Sequence, residues 1–448
     1  MSQSVPQTDM RANFTLADEL QAAEARYTEA NPNGLAQWQR ACEAMPGGNT
    51  RTVLFYSPFP LTMARGEGAY LWDLDGHRYA DFLNDFSAGL YGHSHPVIRQ
   101  AMAEALEAGL TLGGHNRYEE KLAALICARF PSIDLVRFTN SGTEASLMAV
   151  LTAQAVTGRR RILVFEGGYH GGVFYFAPGG SPLNLPTDWL IGRYNDIGRA
   201  KELIGRHAGE LAAILVEPMQ GAGGSIPGDP AFLGALREAA TQAGSLLIFD
   251  EVMTSRLGPG GLQGELGVTP DMTVLGKYLG GGASFGAFGG RADVMERFDP
   301  RSPEAFPHAG TFNNNVLSMA AGTAGLETVY TPEVASELSV RGEALKARLN
   351  EIARASGTAM QVTGMGSLMT VHFAPVAHGE IRSVDDLAAA DQDAKALFHL
   401  EMLARGQYLA RRGLMSLSLA LSEDDLDAFA DAAADVLAVH GPLMGGGG

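Results

Sequence analysis

The stretch Ser245-Leu246-Leu247-Ile248-Phe249-Asp250-Glu251-Val252 decides the fold of this chain. A short run of large apolar residues ending in two carboxylates is typical of a strand that is buried on both faces. A second apolar run, residues 272–275, is followed by Gly276-Lys277-Tyr278-Leu279-Gly280. Ligands bind at the carboxyl ends of strands in open α/β sheets, so we expect Asp250 and Lys277 to share a site.

Further strands and helices alternate on both sides of this stretch. Between about residues 130 and 290 the alternation predicts a mostly parallel sheet covered by helices. Towards the amino terminus, the pattern is helical over residues 16–42 and predicts a hairpin over 69–82. After two long helices, over 316–330 and 332–356, an α+β segment runs towards the carboxyl terminus.

Composition and charge narrow the possible functions. The chain has 448 residues, of which 46% are hydrophobic and 19% charged, and its formal net charge is -17. This charge argues against nucleic-acid or anionic-membrane partners, and no apolar run approaches the ~20 residues of a membrane-spanning helix. The two cysteines and an amino terminus unlike a signal peptide indicate a cytoplasmic protein. His93 and His95 lack partners at metal-ligand spacing, so we expect no metal site.

An aspartate and a lysine at neighbouring strand ends are what an enzyme dependent on pyridoxal 5'-phosphate (PLP) requires. The lysine forms a Schiff base with the cofactor. The carboxylate keeps the pyridine nitrogen protonated, so that the ring acts as an electron sink. We therefore predict PLP as the cofactor, with Lys277 and Asp250 as the catalytic residues.

Two glycine-containing loops add candidate contacts to this cofactor. Ser141-Gly142-Thr143 lies between a predicted strand and a predicted helix, where backbone N–H groups and hydroxyls can bind a phosphate. An ordinary helix cap is the alternative interpretation, and both can hold at once. In Glu166-Gly167-Gly168-Tyr169-His170-Gly171-Gly172, Tyr169 can stack on a ring; the alternative is a flexible loop.

Together these residues resemble the class III aminotransferases, which are fold type I PLP enzymes. The resemblance covers about residues 40–440 and is closest to the glutamate-1-semialdehyde aminomutase branch and its relatives, the β-amino-acid aminotransferases. It implies a large domain with a mostly parallel seven-stranded sheet sandwiched by helices, and a smaller α+β domain from both termini. We place the large PLP-binding domain at residues 86–330, with 1–85 and 331–448 contributing the smaller domain.

The resemblance also implies roles for individual residues. Lys277 would carry the Schiff base and move the proton, and Asp250 would pair with the pyridine nitrogen. The remaining cofactor contacts would be Val252 behind the ring, Tyr169 in front of it with His170 beside it, Glu217 near the ring hydroxyl, and Ser141, Gly142 and Thr143 on the phosphate. Thr311 would reach the phosphate in the other subunit, which implies a homodimer with shared active sites.

Two arginine positions bear on the substrate. Arg51 follows a Pro-Gly-Gly turn and resembles the carboxylate-binding arginine of the aminomutase branch. Where the aminomutase has a glutamate-bearing loop, this chain has Arg411-Arg412, either of which could hold the carboxylate of a keto acid such as 2-oxoglutarate. A solvated arginine pair is the alternative interpretation. An aminomutase keeps one substrate throughout and needs no second carboxylate site.

A set of mostly apolar residues is expected to line the substrate pocket: Phe55, Tyr56, Phe86, Ser87, Ala88, Tyr91 and Met219. The combination favours transamination of an aromatic β-amino acid such as β-phenylalanine, with 2-oxoglutarate as acceptor, by a ping-pong mechanism through pyridoxamine phosphate. The main alternative is glutamate-1-semialdehyde 2,1-aminomutase. A non-catalytic relative would be expected to lack Lys277 or Asp250, and both are present.

Overall fold

The computed structural model describes residues 15–376 and 379–444. The helices are α1 Leu16–Ala30, α2 Pro32–Cys42, α3 Asn84–Ser87, α4 Pro96–Ala108, α5 Glu119–Arg129, α6 Gly142–Thr157, α7 Ile197–His207, α8 Pro230–Ala243, α9 Gly261–Leu266, α10 Ala292–Met295, α11 Val316–Ala324, α12 Pro332–Ser356, α13 Gln392–Ala404 and α14 Glu423–His440. The strands are β1 Met63–Glu67, β2 Tyr70–Asp73, β3 Arg78–Asp81, β4 Leu135–Thr139, β5 Arg161–Phe165, β6 Trp189–Gly192, β7 Leu211–Val216, β8 Met219–Gln220, β9 Ile226–Pro227, β10 Leu246–Asp250, β11 Met272–Gly276, β12 Gly286–Gly290, β13 Met360–Met365, β14 Leu368–Phe373, β15 Gln407–Tyr408 and β16 Leu414–Ser416.

The central sheet has seven strands in the order β4-β12-β11-β10-β7-β5-β6. Strand β12 runs antiparallel to both of its neighbours, and the other pairings are parallel. Every residue of β7, β10 and β11 is buried, because helices cover both faces of the sheet. This confirms the predicted α/β fold with a mostly parallel seven-stranded sheet.

The sheet brings Asp250 and Lys277 to the same edge. Strands β10 and β11 are parallel neighbours, with Asp250 opposite Val274. Lys277 therefore begins the short 3-10 turn that follows β11, directly beyond the strand end next to Asp250. The carboxyl ends of β7, β5 and β4 lead to Glu217, to the loop with Tyr169 and to the start of α6, so one edge collects most of the predicted cofactor contacts.

A smaller α+β unit joins distant parts of the chain. Strands β1, β2 and β3 form an antiparallel sheet, and β15 adds to it in parallel with β3. A second sheet combines β13, β14 and β16. Both termini thus contribute to the smaller unit, as predicted. The proposed boundaries, 1–85, 86–330 and 331–448, stay predictions, and their outer ends lie beyond the described residues.

The helical stretch expected over residues 16–42 is two helices rather than one. Helix α1 ends at Ala30, and α2 begins with Pro32 in its first turn. Proline lacks the backbone N–H that an interior helical position needs, but it fits the first turn well. Within residues 15–376 and 379–444, no helix combines the length and apolar character required to cross a membrane.

Candidate active site

The carboxylate of Asp250 is buried at the end of β10 and held in one orientation. Its Oδ2 lies 2.8 Å from Nδ1 of His170, and its Oδ1 accepts a hydrogen bond from the backbone N–H of Val252 at 3.0 Å. His170 is also buried. Since both oxygens have partners, a rotation of this carboxylate would break both contacts.

Glu217, which follows β7, forms the next layer of this site. Its two oxygens accept hydrogen bonds from the backbone N–H groups of Tyr169 and Gly221, each at 3.0 Å. Burial raises the pKa of Glu217 to about 7, with the Asp250 charge adding to the rise and His170 opposing it. Glu217 therefore anchors the loop that carries Tyr169. Tyr169 itself is 44% exposed.

Lys277 stands beyond β11 in a left-handed backbone conformation, with φ of 56°. Its amine donates a hydrogen bond to the carbonyl of Phe86. Burial lowers the pKa of Lys277 to about 8, while the charge of Asp85 acts in the opposite direction and that of Arg412 adds to the decrease. A lysine with this pKa is neutral far more often at neutral pH than an ordinary lysine, as a nucleophilic amine requires.

The start of α6 forms a close-fitting anion cradle. Ser141 caps the helix by accepting a hydrogen bond from Glu144 N, and Oγ1 of Thr143 accepts one from Gly172 N at 3.2 Å. A Cβ on Gly142 would lie 2.9 Å from Val252 Cγ2, so only glycine lets the loops approach this closely. The free N–H groups of the first helical turn make this a suitable phosphate site.

Residues Asn84, Asp85, Phe86 and Ser87, labelled α3, form a left-handed turn, with φ of 49°, 45°, 55° and 77°. This conformation costs a non-glycine residue about 1–2 kcal/mol. The fully buried Asn84 holds the turn in place, because its Nδ2 donates to the carbonyls of Asp81 and Ser416 at 2.8 and 2.6 Å. Strain of this kind is concentrated at functional sites.

The structure separates Arg412, which lies with Arg51, from Arg411. The guanidinium carbons of Arg51 and Arg412 lie 5.5 and 5.4 Å from the centre of the Phe86 ring. Arg51 also pairs with Asp85, with 2.6 Å between Nη2 and Oδ1. Arg411 instead donates a hydrogen bond to the carbonyl of Gln392 at the start of α13. Of the predicted pair, Arg412 is therefore the residue placed with Arg51 and the Lys277 amine.

The surroundings of the other predicted pocket residues differ from one to the next, and their role in a pocket stays a prediction. Tyr56 is buried beside Tyr27 and His399, and Met219 packs with Leu257, Leu262 and Leu368. Tyr91 is buried against Tyr278. Phe55 is 45% exposed and Ala88 is half-buried.

Ser87 was predicted to contact the substrate and Thr311 to contact the cofactor; the first is buried and the second is exposed. Ser87 is buried, and its carbonyl accepts a hydrogen bond from Arg256 Nη1 at 3.2 Å. Thr311 is exposed in an open groove of about 1170 Å³, whose lining also includes Leu112 and Phe312. Thr311 thus lies on an exposed surface.

Sequence reasoning missed the residues that build the left-handed turn. Asn84 and Asp85 carried a weak signal, since asparagine and aspartate are enriched in left-handed conformations. Arg256 carried none: it is fully buried and donates hydrogen bonds to the carbonyls of Ser87 and Leu417. This guanidinium ties the end of the turn to the segment after β16.

The arrangement fits PLP. One edge of the sheet carries three groups that a PLP site needs. These are the Lys277 amine with its lowered pKa, the buried carboxylate of Asp250 on the adjacent strand, and the start of α6 with the hydroxyls of Ser141 and Thr143. Gly142 and Gly171 let the loops around this edge pack closely against one another, since a Cβ on Gly171 would lie 2.5 Å from Thr143 Oγ1. Tyr169 can cover a ring placed over Val252.

Comparison with known proteins identifies the family of this chain. The family model for aminotransferase class-III matches residues 55–179 and 192–399. The chain belongs to the class-III aminotransferase family, and it is a PLP-dependent enzyme.

Individual relatives are similar along almost the whole chain. A β-phenylalanine transaminase from Variovorax paradoxus is 56% identical over 422 residues, which cover 94% of this chain and 96% of that protein. The crystal structure of a β-phenylalanine aminotransferase from the same organism has a TM-score of 0.94 and 55% identity, covering 96% of this chain and 99% of the other. A glutamate-1-semialdehyde 2,1-aminomutase from Thermomicrobium roseum is 39% identical over 428 residues, which cover 91% of this chain and 98% of that protein.

Proposed function

We propose that this aminotransferase takes its amino group from an aromatic β-amino acid such as β-phenylalanine and gives it to a keto acid such as 2-oxoglutarate. One observation carries the proposal: Arg51 and Arg412 lie over the same ring, next to the Lys277 amine. Each guanidinium can bind a carboxylate. The resemblance to a β-phenylalanine transaminase at 56% identity gives independent support.

The cofactor contacts follow from the geometry of the strand ends. PLP supplies an electron sink that stabilises negative charge on the carbon bearing the amino group. Asp250, oriented by His170, is the partner for the pyridine nitrogen, and the first turn of α6 is the phosphate site. Val252 and Tyr169 are the residues that we propose to contact the two faces of the ring.

Lys277 is the residue that we propose to move the proton. Its lowered pKa leaves a substantial neutral fraction at neutral pH, and a neutral amine can take the proton from the amine-bearing carbon. The carbonyl of Phe86 accepts a hydrogen bond from the Lys277 amine and so restricts its position. The left-handed turn that carries Phe86 therefore acts on both the base and the arginines.

The two arginines are proposed to bind the two substrates. Arg51 holds the carboxylate of the β-amino acid; its bond to Asp85 uses only Nη2, which leaves the other donors free. Among residues 15–376 and 379–444, Arg412 has no ion-pair partner, so its guanidinium is available to a keto-acid carboxylate. An aminomutase needs no second carboxylate site, so Arg412 favours transamination over that alternative.

A matched pair of variants tests the second carboxylate site. Arg412→Met should raise the KM for 2-oxoglutarate by about 10- to 150-fold, because a charge-assisted contact contributes about 1.5–3 kcal/mol. Arg411→Met should leave this KM unchanged. The assay measures glutamate formed from 2-oxoglutarate with β-phenylalanine as donor. Equal effects of the two substitutions, or no glutamate from the unsubstituted protein, would contradict the proposal.

We further propose a homodimer in which Thr311 completes the partner's phosphate site. The open groove around Thr311 is bordered by the exposed apolar side chains of Leu112 and Phe312, which are 53% and 61% exposed. A second copy would cover them. Sedimentation velocity should show a dimer for the unsubstituted chain and a monomer for Phe312→Asp. A monomeric unsubstituted chain at micromolar concentration would refute the dimer.

A cytoplasmic location is part of the same proposal. Cys42 is exposed and Cys127 is partly buried, and both thiols are free. Free thiols persist in reducing compartments.

A further inference from the structure

We propose that Phe86 is a positioning residue for both carboxylate sites: its ring holds the guanidinium groups of Arg51 and Arg412 in the orientations that bind donor and acceptor. The inference rests on the proposed function, since it concerns how the same site handles two substrates. It assigns Phe86 a different task from simply lining an apolar pocket.

The first support is the shared geometry of the two arginines. Their guanidinium carbons lie 5.5 and 5.4 Å from the centre of one ring, within the range of cation–π attraction. The ring itself is only 7% exposed and packs against Leu83, Ala410 and Leu414. A fixed aromatic surface beneath two long, flexible side chains restricts both of them.

The second support is the backbone that carries Phe86. Four successive non-glycine residues adopt left-handed conformations, and the buried Asn84 side chain holds them through the carbonyls of Asp81 and Ser416. The same turn presents the Phe86 carbonyl to the Lys277 amine. One residue therefore contacts the reactive amine through its backbone and both arginines through its ring.

This arrangement makes a distinctive prediction about specificity. A side chain that only lines an aromatic pocket would affect binding of an aromatic donor and leave an aliphatic acceptor unaffected. A ring that orients both arginines must affect carboxylates of both kinds. The two sites are then linked, so that a change of this one ring weakens donor and acceptor together.

Two unreactive carboxylates allow binding to be measured without turnover. 3-Phenylpropanoate resembles β-phenylalanine without its amine, and glutarate resembles 2-oxoglutarate without its keto group. Calorimetric titration of the PLP-loaded protein should give dissociation constants that rise about 3- to 30-fold for both ligands in Phe86→Leu, the range expected for losing a cation–π contact. Phe86→Tyr keeps the ring face and should restore both values. Trp72→Leu removes the ring whose centre lies 3.6 Å from the guanidinium carbon of Arg65 on the hairpin of β1 and β2; it is the matched control and should change neither.

A double substitution separates positioning from general damage. In an Arg412→Met background, Phe86→Leu should no longer weaken glutarate binding, because the guanidinium on which it acts is gone. If Phe86→Leu loses PLP or fails to fold, Phe86→Met provides a second aliphatic side chain, and the comparison with Phe86→Tyr is unchanged.

The outcomes distinguish this inference from the proposed function. Weakening of 3-phenylpropanoate alone would overturn the inference in favour of an apolar pocket, and weakening of neither ligand would overturn it outright. If Phe86→Leu weakens both ligands but the unsubstituted protein transfers no amino group from β-phenylalanine, the positioning role stands and the proposed function fails.

Discussion

The pKa of Lys277 leads to a quantitative prediction about how the protein takes up its cofactor. Burial lowers this pKa from 10.5 to about 8. At about 1.36 kcal/mol per pKa unit, this shift means that the protein destabilises the charged amine by about 3 kcal/mol relative to the neutral one. At pH 7 roughly a tenth of the Lys277 amines are neutral, a fraction several hundred times greater than for an ordinary lysine.

Since only the neutral amine attacks the PLP aldehyde, the rate of covalent uptake should follow this titration. In stopped-flow mixing of the apoprotein with PLP, the rate at which the yellow band of the lysine-bound cofactor forms should rise up to about pH 8 and level off above it. An unperturbed lysine would give a rate that climbs towards pH 10.

The chain provides a matched control for this experiment. Lys395 is a second buried lysine whose pKa is lowered to about 8, chiefly by burial. It belongs to the smaller unit, on α13, where its amine lies 3.4 Å from Nδ1 of His372. Lys395→Met should form the yellow band with the same pH dependence as the unsubstituted protein, and Lys277→Ala should form none. A rate that still rises beyond pH 10, or a yellow band in Lys277→Ala, would refute the reasoning.

Three further predictions concern residues around this amine. Burial raises the pKa of Glu217 from 4.5 to about 7, so its contribution to stability is fully present below pH 4.5 and is lost as the pH rises through 7. The unfolding free energy of the apoprotein, measured relative to that of Glu217→Gln, should therefore fall by about 3 kcal/mol between pH 4.5 and 8. A difference in thermal midpoint between the two proteins that does not change with pH would count against this prediction. Gly142→Ala would place a Cβ 2.9 Å from Val252 and should lower the unfolding free energy by about 1–3 kcal/mol, the usual cost of overpacking. Denaturant unfolding checks this, and an unchanged free energy would show that the loops relax. Asp85 raises the pKa of Lys277, so Asp85→Asn should move the uptake profile to lower pH, and a shift to higher pH would contradict the assigned charge effect.

Much of the fold could be predicted from the sequence because its signals are local. The apolar runs of β10 and β11 identify strands with both faces buried, and the hairpin over 69–82 has an Asp-Gly turn. The parallel order of the sheet then brings Asp250 and Lys277 together. The break at Pro32 also had a local signal, the proline itself, which the interpretation of residues 16–42 as helical did not take into account.

The substrate side of the site was harder to predict, because it depends on contacts between distant segments. The sequence could not distinguish Arg411 from Arg412, since the choice is made by where the loop before β16 meets Phe86. The left-handed turn is stabilised by Ser416, more than 300 residues away in the chain. No local pattern reports such contacts, and apolar residues such as Tyr56 and Met219 cannot be assigned to pocket or core from composition alone.

The central claim, amino transfer from a β-amino acid through a cofactor held by Lys277, is tested most directly by the visible spectrum of the purified protein. Addition of β-phenylalanine without an acceptor should bleach the yellow band, and subsequent 2-oxoglutarate should restore it. A yellow protein that ignores β-phenylalanine but responds to a semialdehyde-type compound would point to the aminomutase reaction. A protein that takes up no PLP would contradict the account of the site as a whole.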